Sequence, residues 1–425
     1  MSGRALFCQP RRKRRGAALT LMFAGLLAAG AATGSFPDTG QAGQPGQAGQ
    51  AGQAGQAGRT GQAGQAGEPG QSGRPGASGR RGGAGPSPAA VRHEDVRRAA
   101  AEAMADGTSP MEAAERAVSR SGDRWGAVYS ENEYQEFQEA LDGEYTGVGL
   151  WARRERDGRI EVTRVQTGSP AAEAGIRKGD RLRSVDGEKV DGRPVTEVVS
   201  LLRGDADDAA AGTAVTLGLQ RGTHAWTRTL HRARLSTDSV TVRKPAHGVV
   251  VIKVAAFTKG AGEAVRAAVR RAPADTGIVL DLRGNSGGLV TEAVDAASAF
   301  LDGGLVATYD VDGAQRALHA EPGGDTARPL VTLVDGGTMS AAEMLTGALQ
   351  DRGRAVVIGS RTFGKGSVQM PTALPDGSVA ELTVGHYRTP CGHKVDGRGI
   401  TPDLDAGTDA LTRAETVLTG LGAPS

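Results

Sequence analysis

The second half of the chain alternates continuous apolar runs with alanine-rich amphipathic segments. Apolar runs at 248–254 and 277–282 are followed by segments with helical spacing of their apolar residues at 262–271 and 292–300. Short continuous runs are typical of strands buried on both faces. Their alternation with helices indicates a mixed α/β layer. We therefore expect one strand-rich unit from about residue 234 to residue 425, which includes a further helix over 341–350.

The region before this unit has a different pattern. Residues 89–143 have apolar residues at helical spacing, with Pro110 placed to start a second helix. Ser130 and Glu133 have the spacing of a capping box at the start of a third helix. The pattern predicts a helical segment over 89–143 whose apolar faces pack against the rest of the fold.

Three apolar strands in the second half run into glycine-rich turns. The segments are I-V-L-D-L-R-G-N-S-G-G-L (278–289), V-T-L-V-D-G-G-T-M-S-A-A-E-M-L (331–345) and I-G-S-R-T-F-G-K-G-S-V-Q (358–369). Ser340 opens a helix in the second segment, and Lys365 lies between two glycines in the third. A serine at a helix start with a lysine on a nearby turn is one way to activate a hydroxyl without histidine.

Simpler interpretations exist for both residues. Ser340 and Glu343 also have the spacing of a capping box, and a lone loop lysine such as Lys365 is usually solvated. The glycine turn of the segment 278–289 favours a site instead, because Gly287 and Gly288 would leave backbone N–H groups free to face a developing oxyanion.

The three motifs together resemble the C-terminal processing peptidases, also called tail-specific proteases. The similarity continues in S-E-N-E-Y-Q-E-F upstream and G-R-G-I-T-P-D at 397–403, and it covers roughly residues 90–420. The chain departs from the family at Asp335, where Asn is usual, and at Thr338, Met339 and Ala342, which replace a serine-alanine alternation. The resemblance implies an α+β fold: a mixed α/β, crotonase-like peptidase core at 234–425, an inserted PDZ domain and the N-terminal helical segment.

The resemblance also implies roles for particular residues. Ser340 would be the nucleophile, Lys365 the general base and Gln369 the residue that orients the lysine amine. The Ala341 amide would hold the oxyanion together with an amide at Gly287 or Gly288, and the sequence leaves that choice open. No metal ion or organic cofactor is required.

Residues 144–233 resemble a PDZ domain. Y-T-G-V-G-L (145–150) is similar to the carboxylate-binding loop, and the stretch 169–187 is similar to the strand-turn signature of bacterial PDZ domains. Backbone amides of Gly147, Val148, Gly149 and Leu150 are expected to bind a terminal carboxylate, with the peptide added as a strand along 150–153. A helix over 196–202, which contains Val198, would line the groove, and 204–212 is expected to be a solvated loop.

The N-terminus has the pattern of a targeting segment. Basic residues fill positions 11–15, and the uncharged stretch 16–33 ends in Ala29-Gly30-Ala31. This pattern predicts a signal peptide over 1–34, with an uncleaved membrane anchor as the alternative. In either case the rest of the chain would be extracytoplasmic, either secreted or anchored to the cell membrane.

Glycine then recurs at every third position from Gly40 to Gly82. We expect a low-complexity linker over 35–88, either a flexible spacer or a collagen-like trimeric triple helix.

Composition excludes several classes of site. The chain has 425 residues and a net charge of +2, so it has room for two or three domains and no general attraction to nucleic acid. Cys8 and Cys391 are its two cysteines, so a processed chain has no internal disulfide. His386 and His393 lack metal-ligand spacing. His386 is the one nearby candidate for a Ser-His-Asp arrangement.

The main hypothesis is an extracytoplasmic serine endopeptidase that cleaves polypeptides with free apolar C-termini. Its PDZ domain would deliver the substrate and either only tether it or also gate the active site. A homo-oligomer is compatible with this hypothesis. The alternative is a catalytically silent PDZ binding or scaffold protein.

Overall fold

A computed structural model describes residues 88–204, 210–245, 248–311 and 314–422. The expected targeting segment, almost all of the glycine-triplet linker and residues 205–209 of the expected loop lie outside the described residues. None of the helices in the described ranges combines the length and apolarity that a bilayer crossing requires.

The helices begin and end close to the positions that the periodicity indicates. They are α1 (Pro88–Ala105), α2 (Pro110–Arg120), α3 (Glu131–Leu141), α4 (Pro170–Glu173), α5 (Val195–Arg203), α6 (Ala261–Arg271), α7 (Val290–Ser298), α8 (Ala341–Asp351) and α9 (Ala410–Gly420).

The strands are shorter and divide among four sheets. They are β1 (Ala127–Tyr129), β2 (Glu144–Gly147), β3 (Leu150–Arg154), β4 (Ile160–Val165), β5 (Arg181–Val185), β6 (Glu188–Lys189), β7 (Ala214–Arg221), β8 (His224–His231), β9 (Ala233–Ser236), β10 (Val240–Arg243), β11 (Val249–Val254), β12 (Gly277–Asp281), β13 (Leu305–Val311), β14 (Ala314–His319), β15 (Leu330–Val334), β16 (Val356–Gly359), β17 (Ser367–Ala373), β18 (Val379–Arg388) and β19 (Leu404–Asp405).

The central sheet of the core has the order β10-β11-β12-β15-β16-β19. Its strands run parallel except β10, which is antiparallel to β11. Alternate side chains of β11 point to opposite faces: Val250 and Ile252 pack against α6, α7 and α8, whereas Val249 and Val251 pack against α9. Burial on both faces explains the continuous apolar runs. The glycine turns follow the carboxyl ends of β12, β15 and β16, so they meet at one edge of the sheet.

A second, antiparallel sheet has the order β1-β18-β13-β14, with β17 also paired to β18. The expectation of helix across 89–143 is wrong at Ala127–Tyr129, which form β1 and pair with β18. The pairing is tertiary: Val128 packs with Ala380 and Leu382 of β18 and with α1 and α2. The N-terminal segment therefore supplies one strand of a core sheet.

The inserted unit has its own sheet and core. Its sheet has the order β3-β4-β5-β7-β8, with β6 paired to β5. β2 and β9 pair antiparallel, from Glu144 opposite Ser236 to Gly147 opposite Ala233, so the chain enters and leaves this unit along one short ladder. β3 is an edge strand and faces α5, which leaves one side of its backbone open to a further strand.

Candidate active site

Ser340 stands at the junction between β15 and α8 in an uncommon backbone conformation. Its φ is 55° and its ψ is −120°, a region that residues other than glycine seldom adopt. Ser340 and Glu343 form the capping box that their spacing predicts. Such strain persists where the surrounding structure over-determines a position, as at many functional sites. The surrounding turn therefore fixes the position of Ser340.

Glu343 makes the contact that a capping box predicts for its glutamate, and it also contacts the lysine loop. Its fully buried carboxylate accepts the Ser340 backbone N–H at 2.9 Å. The same carboxylate accepts the N–H groups of Gly364 at 2.7 Å and Lys365 at 2.8 Å. Burial raises the pKa of Glu343, although these hydrogen bonds oppose that effect. One side chain therefore connects the start of α8 to the lysine loop.

Lys365 lies half-buried between its two glycines. Its Nζ lies 5.4 Å from the ring centroid of Trp125 and makes no hydrogen bond in the described part of the chain. Burial lowers the pKa of Lys365 below its ordinary value of 10.5, and the charges of Glu381 and Asp123 offset part of this effect. A lysine in this environment gives up its proton more readily than a solvated one.

Gln369 follows Lys365 on β17, just after a bulge in the pairing with β18. Its side-chain amide donates to the Trp125 carbonyl oxygen. Within the described residues no hydrogen bond joins Gln369 to the Lys365 amine. The orienting contact that the family resemblance implies for Gln369 is therefore not made in this structure.

The two candidate oxyanion glycines differ in their hydrogen bonding. The Gly287 N–H donates to Asn285 Oδ1 at 2.8 Å. The backbone N–H groups of Gly288 and Ala341 make no hydrogen bond with the described residues, and Gly288 lines the same cavity as Ser340. The geometry therefore favours Gly288 with Ala341 as the donor pair. Gly287 is required for space instead, since a Cβ there would lie 2.9 Å from Ser340 Cβ.

The residues that depart from the family pattern have structural partners. Asp335 Oδ1 accepts the N–H groups of Gly284 at 2.8 Å and Gly337 at 2.9 Å. The Thr338 hydroxyl donates to the Leu282 carbonyl oxygen at 2.9 Å. These contacts hold the β12 and β15 turns against one another, so the substituted residues stabilise the turn that carries Ser340.

A cavity of about 640 Å³ contains these groups. Ser340, Gly288, Lys365, Gln369 and Glu381 line it on one side. Aromatic residues in and next to β1 and α3 also line it, and Arg203 of α5 contributes from the inserted unit; the aromatic residues are Trp125, Tyr129, Tyr134 and Phe137. The arrangement places Ser340, a lysine of lowered pKa and Gly288 around one space, and the Ala341 N–H follows directly after Ser340 in the chain.

The expected carboxylate-binding loop lines a second, smaller cavity of about 60 Å³. Gly147, Val148, Gly149 and Leu150 form one wall, and Val199 and Leu202 of α5 form the other. The N–H groups of Val148 and Gly149 make no hydrogen bond within the described residues.

The α5 residues divide between this cavity and the domain core. Val198 is fully buried in the core, so Val199 rather than Val198 faces the groove. Arg203 lines both cavities, and burial lowers its pKa.

Sequence reasoning missed several residues around the lysine. The Tyr387 hydroxyl donates to the carbonyl oxygens of Ser340 at 2.8 Å and Lys365 at 3.1 Å. Asp123 accepts from the Thr383 backbone at 2.7 Å. Burial acts to raise the pKa of Asp123, but hydrogen bonds from Thr383, Trp125 and Gly126 outweigh it and lower the pKa. No local pattern marks these residues, because their partners are distant in the sequence.

His386 does not join the nucleophile. Its imidazole is exposed, pairs with Asp396 at 3.7 Å and does not line the cavity that contains Ser340. A Ser-His-Asp arrangement is therefore disfavoured.

Comparison with known families gives matches in three regions. Residues 248–406 match the family model of peptidase family S41, and residues 161–221 match a PDZ domain model. Residues 32–90, which lie almost entirely outside the described part of the chain, match the collagen triple helix repeat.

Individual proteins are similar over the globular part. Carboxyl-terminal-processing peptidase 3, chloroplastic, from Arabidopsis thaliana is 35% identical over 318 residues, which are 69% of this chain and 60% of that protein. A probable CtpA-like serine protease from Staphylococcus aureus (strain COL) is 35% identical over 296 residues, 67% of this chain and 58% of that protein. The chain thus spans less than two thirds of the length of these relatives.

Among solved structures, the photosystem II D1 C-terminal processing protease is 29% identical, with a TM-score of 0.47 over 74% of this chain and 86% of that one. The family matches and the similarity to the curated relatives agree on one assignment. This chain belongs to peptidase family S41, among the carboxyl-terminal-processing peptidases that carry a PDZ domain.

Proposed function

We propose that this chain is an extracytoplasmic serine endopeptidase with a Ser340–Lys365 dyad. The observation that carries the proposal is the convergence on one cavity of a serine in a strained backbone conformation, a lysine of lowered pKa and Gly288, whose N–H makes no hydrogen bond with the described residues. The S41 assignment supports the same activity. The extracytoplasmic location rests on the basic block at 11–15 and the apolar stretch after it.

In the proposed reaction, neutral Lys365 takes the proton of the Ser340 hydroxyl as Oγ attacks the scissile carbonyl carbon. The Gly288 and Ala341 N–H groups donate to the oxyanion that forms. Lys365 then protonates the leaving amine, and an acyl-serine remains. Water, deprotonated by Lys365, hydrolyses the acyl-serine and regenerates both residues.

The PDZ domain would select the substrate. Free N–H groups at Val148 and Gly149 suit a terminal carboxylate, and Val199 and Leu202 suit an apolar last side chain. Arg203 lines both cavities, so we propose that tail binding also affects the active site and does not only tether the substrate.

Cleavage of casein tests the catalytic proposal. Wild type should cleave it, and folded Ser340→Ala and Lys365→Arg proteins should not. Glu415→Gln, a change at a half-buried position of α9 outside both cavities, serves as the matched control and should retain activity. If wild type binds free-tail peptides but cleaves nothing, the chain is a binding or scaffold protein instead.

A further inference from the structure

Glu381 is a carboxylate in the active-site cavity that makes no hydrogen bond or ion pair with the described residues. It lies on β18, half-buried, and lines the cavity together with Ser340 and Lys365. Within the described residues it accepts no hydrogen bond and forms no ion pair. A half-buried carboxylate without donors is costly to keep ionised, so Glu381 is a candidate to pair with a donor or cationic group of a ligand.

The strand register places aromatic residues beside this carboxylate. Glu381 lies directly opposite Ala127 of β1 and opposite Pro371 of β17. Because side chains alternate along a strand, Tyr129 lies on the same sheet face as Glu381, one diagonal position away.

Tyr129 belongs to an aromatic group that lines the cavity. Its ring stacks on the Phe137 ring with centroids 5.6 Å apart, and the centroid of the Tyr134 ring lies 6.4 Å from that of Tyr129. Burial raises the pKa of Tyr129 to about 12, and the charge of Glu381 adds to this effect. Burial also raises the pKa of Tyr134, and the charge of Glu381 contributes there as well. A carboxylate beside aromatic faces is a favourable environment for an organic cation.

The other carboxylates of the cavity have cationic neighbours. Glu139 accepts from Arg234 at 2.6 Å, and Glu144 pairs with the same guanidinium at 3.3 Å. Glu136 faces Arg203, whose charge opposes the rise in the pKa of Glu136 caused by burial. Among the described residues, Lys365 is the cation whose charge opposes the rise in the pKa of Glu381 that burial causes. Lys365 is neutral in the form that acts as the base, and in that form a cation from a ligand would stabilise the ionised carboxylate of Glu381.

We propose that Glu381, Tyr129, Tyr134 and Phe137 form a cation subsite that binds a lysine or arginine side chain of the polypeptide substrate close to the scissile bond. The inference rests on the proposed peptidase function and adds a second element of selection to the recognition of the C-terminal tail. A cationic side chain would pair with Glu381 and lie against the aromatic rings, whereas an acidic side chain would be repelled.

Paired peptides test the subsite. All peptides are unstructured and have the same free apolar tail. Lysine, norleucine or glutamate is placed at one position at a time, on either side of the cleaved bond. At one position, wild type should prefer lysine over norleucine by on the order of 10-fold in kcat/KM. Glu381→Gln should abolish that preference, and Glu381→Lys should reverse it in favour of glutamate. Glu131→Gln, an exposed glutamate outside the cavity, is the matched control and should keep it.

Other results separate the possible failures. Equal cleavage of lysine and norleucine peptides at every position overturns the subsite and leaves the peptidase function intact. The same conclusion follows if Glu381→Gln changes all peptides by one common factor, since Glu381 then acts only through Lys365.

The affinity of each peptide pair for the inactive Ser340→Ala protein is measured as well. If wild type cleaves nothing, the proposed function fails, and the binding difference between lysine and norleucine peptides still decides whether the subsite exists.

Discussion

Glu343 holds the backbone of Lys365: its Oε2 atom accepts the Lys365 N–H at 2.8 Å, and the same oxygen accepts the Ser340 N–H at 2.9 Å. One buried atom thus contacts the main chain of both members of the dyad. The separation between nucleophile and base therefore depends on a side chain that touches neither reacting atom. Tyr387 adds a second connection, through the carbonyl oxygens of the same two residues.

Glu343→Gln is expected to fold and to lose activity. An amide has one acceptor oxygen in place of two, and its NH₂ group would face backbone donors. We expect kcat to fall about 10- to 100-fold because the dyad is misplaced, and stability to fall by about 1–3 kcal/mol. Steady-state kinetics and thermal unfolding measure both effects, with Glu131→Gln as the control. An increase in KM with unchanged kcat would contradict a positioning role.

Ser340→Ala and Ser340→Gly should both be inactive but should differ in stability. The Ser340 hydroxyl contributes at most one helix cap, so alanine should lower the free energy of unfolding by no more than about 1 kcal/mol. Alanine keeps the unfavourable φ of 55°, whereas glycine relieves it. We expect Ser340→Gly to be more stable than Ser340→Ala by about 1 kcal/mol in chemical denaturation. Equal stability would show that the backbone at Ser340 is not strained.

The pH dependence should follow Lys365. Burial lowers its pKa, so the neutral base accumulates as pH rises through a value below 10.5, and kcat/KM should rise over the same range. The negative charge of Glu381 raises the pKa of Lys365, so Glu381→Gln should move this rise to lower pH.

Lys365→Arg should be inactive at every pH, because guanidinium does not give up a proton. A pH profile that is unchanged in Glu381→Gln would show that the two groups do not interact.

Tail recognition should depend on the terminal carboxylate and on Val199. Amidating the C-terminus of a substrate peptide, or ending it with aspartate, should weaken cleavage by on the order of 10-fold or more through lost hydrogen bonds and burial. Val199→Asp should have a similar effect on free-tail peptides and little effect on amidated ones. An increase in KM alone would indicate tethering, and a fall in kcat as well would indicate that tail binding acts on the active site. Equal cleavage of all three ends would leave the active site as the sole filter.

The sequence predicted well the elements whose signals are local. The buried strands β11 and β12 and helices α6 and α8 follow from apolar periodicity. The turns that carry Ser340 and Lys365 were evident because glycine-rich turns follow apolar strands.

The rest of the site depends on tertiary contacts that local patterns do not encode. Ala127–Tyr129 is a strand only because β18 pairs with it. The choice between Gly287 and Gly288 depends on which N–H the Asn285 side chain takes. The contact of Gln369 with Trp125 joins residues 244 positions apart.

The hydrogen bonds from Thr383 to Asp123 span 260 positions of the chain. They fix the segment that carries Trp125 and Tyr129, which forms one wall of the substrate cavity. During synthesis this segment emerges well before its anchoring strand β18, which lies about 260 positions later in the chain. A nascent chain that stops before residue 383 contains Ser340 and Lys365 without the anchored wall. The order of synthesis therefore delays assembly of the complete cavity until β18 has been made.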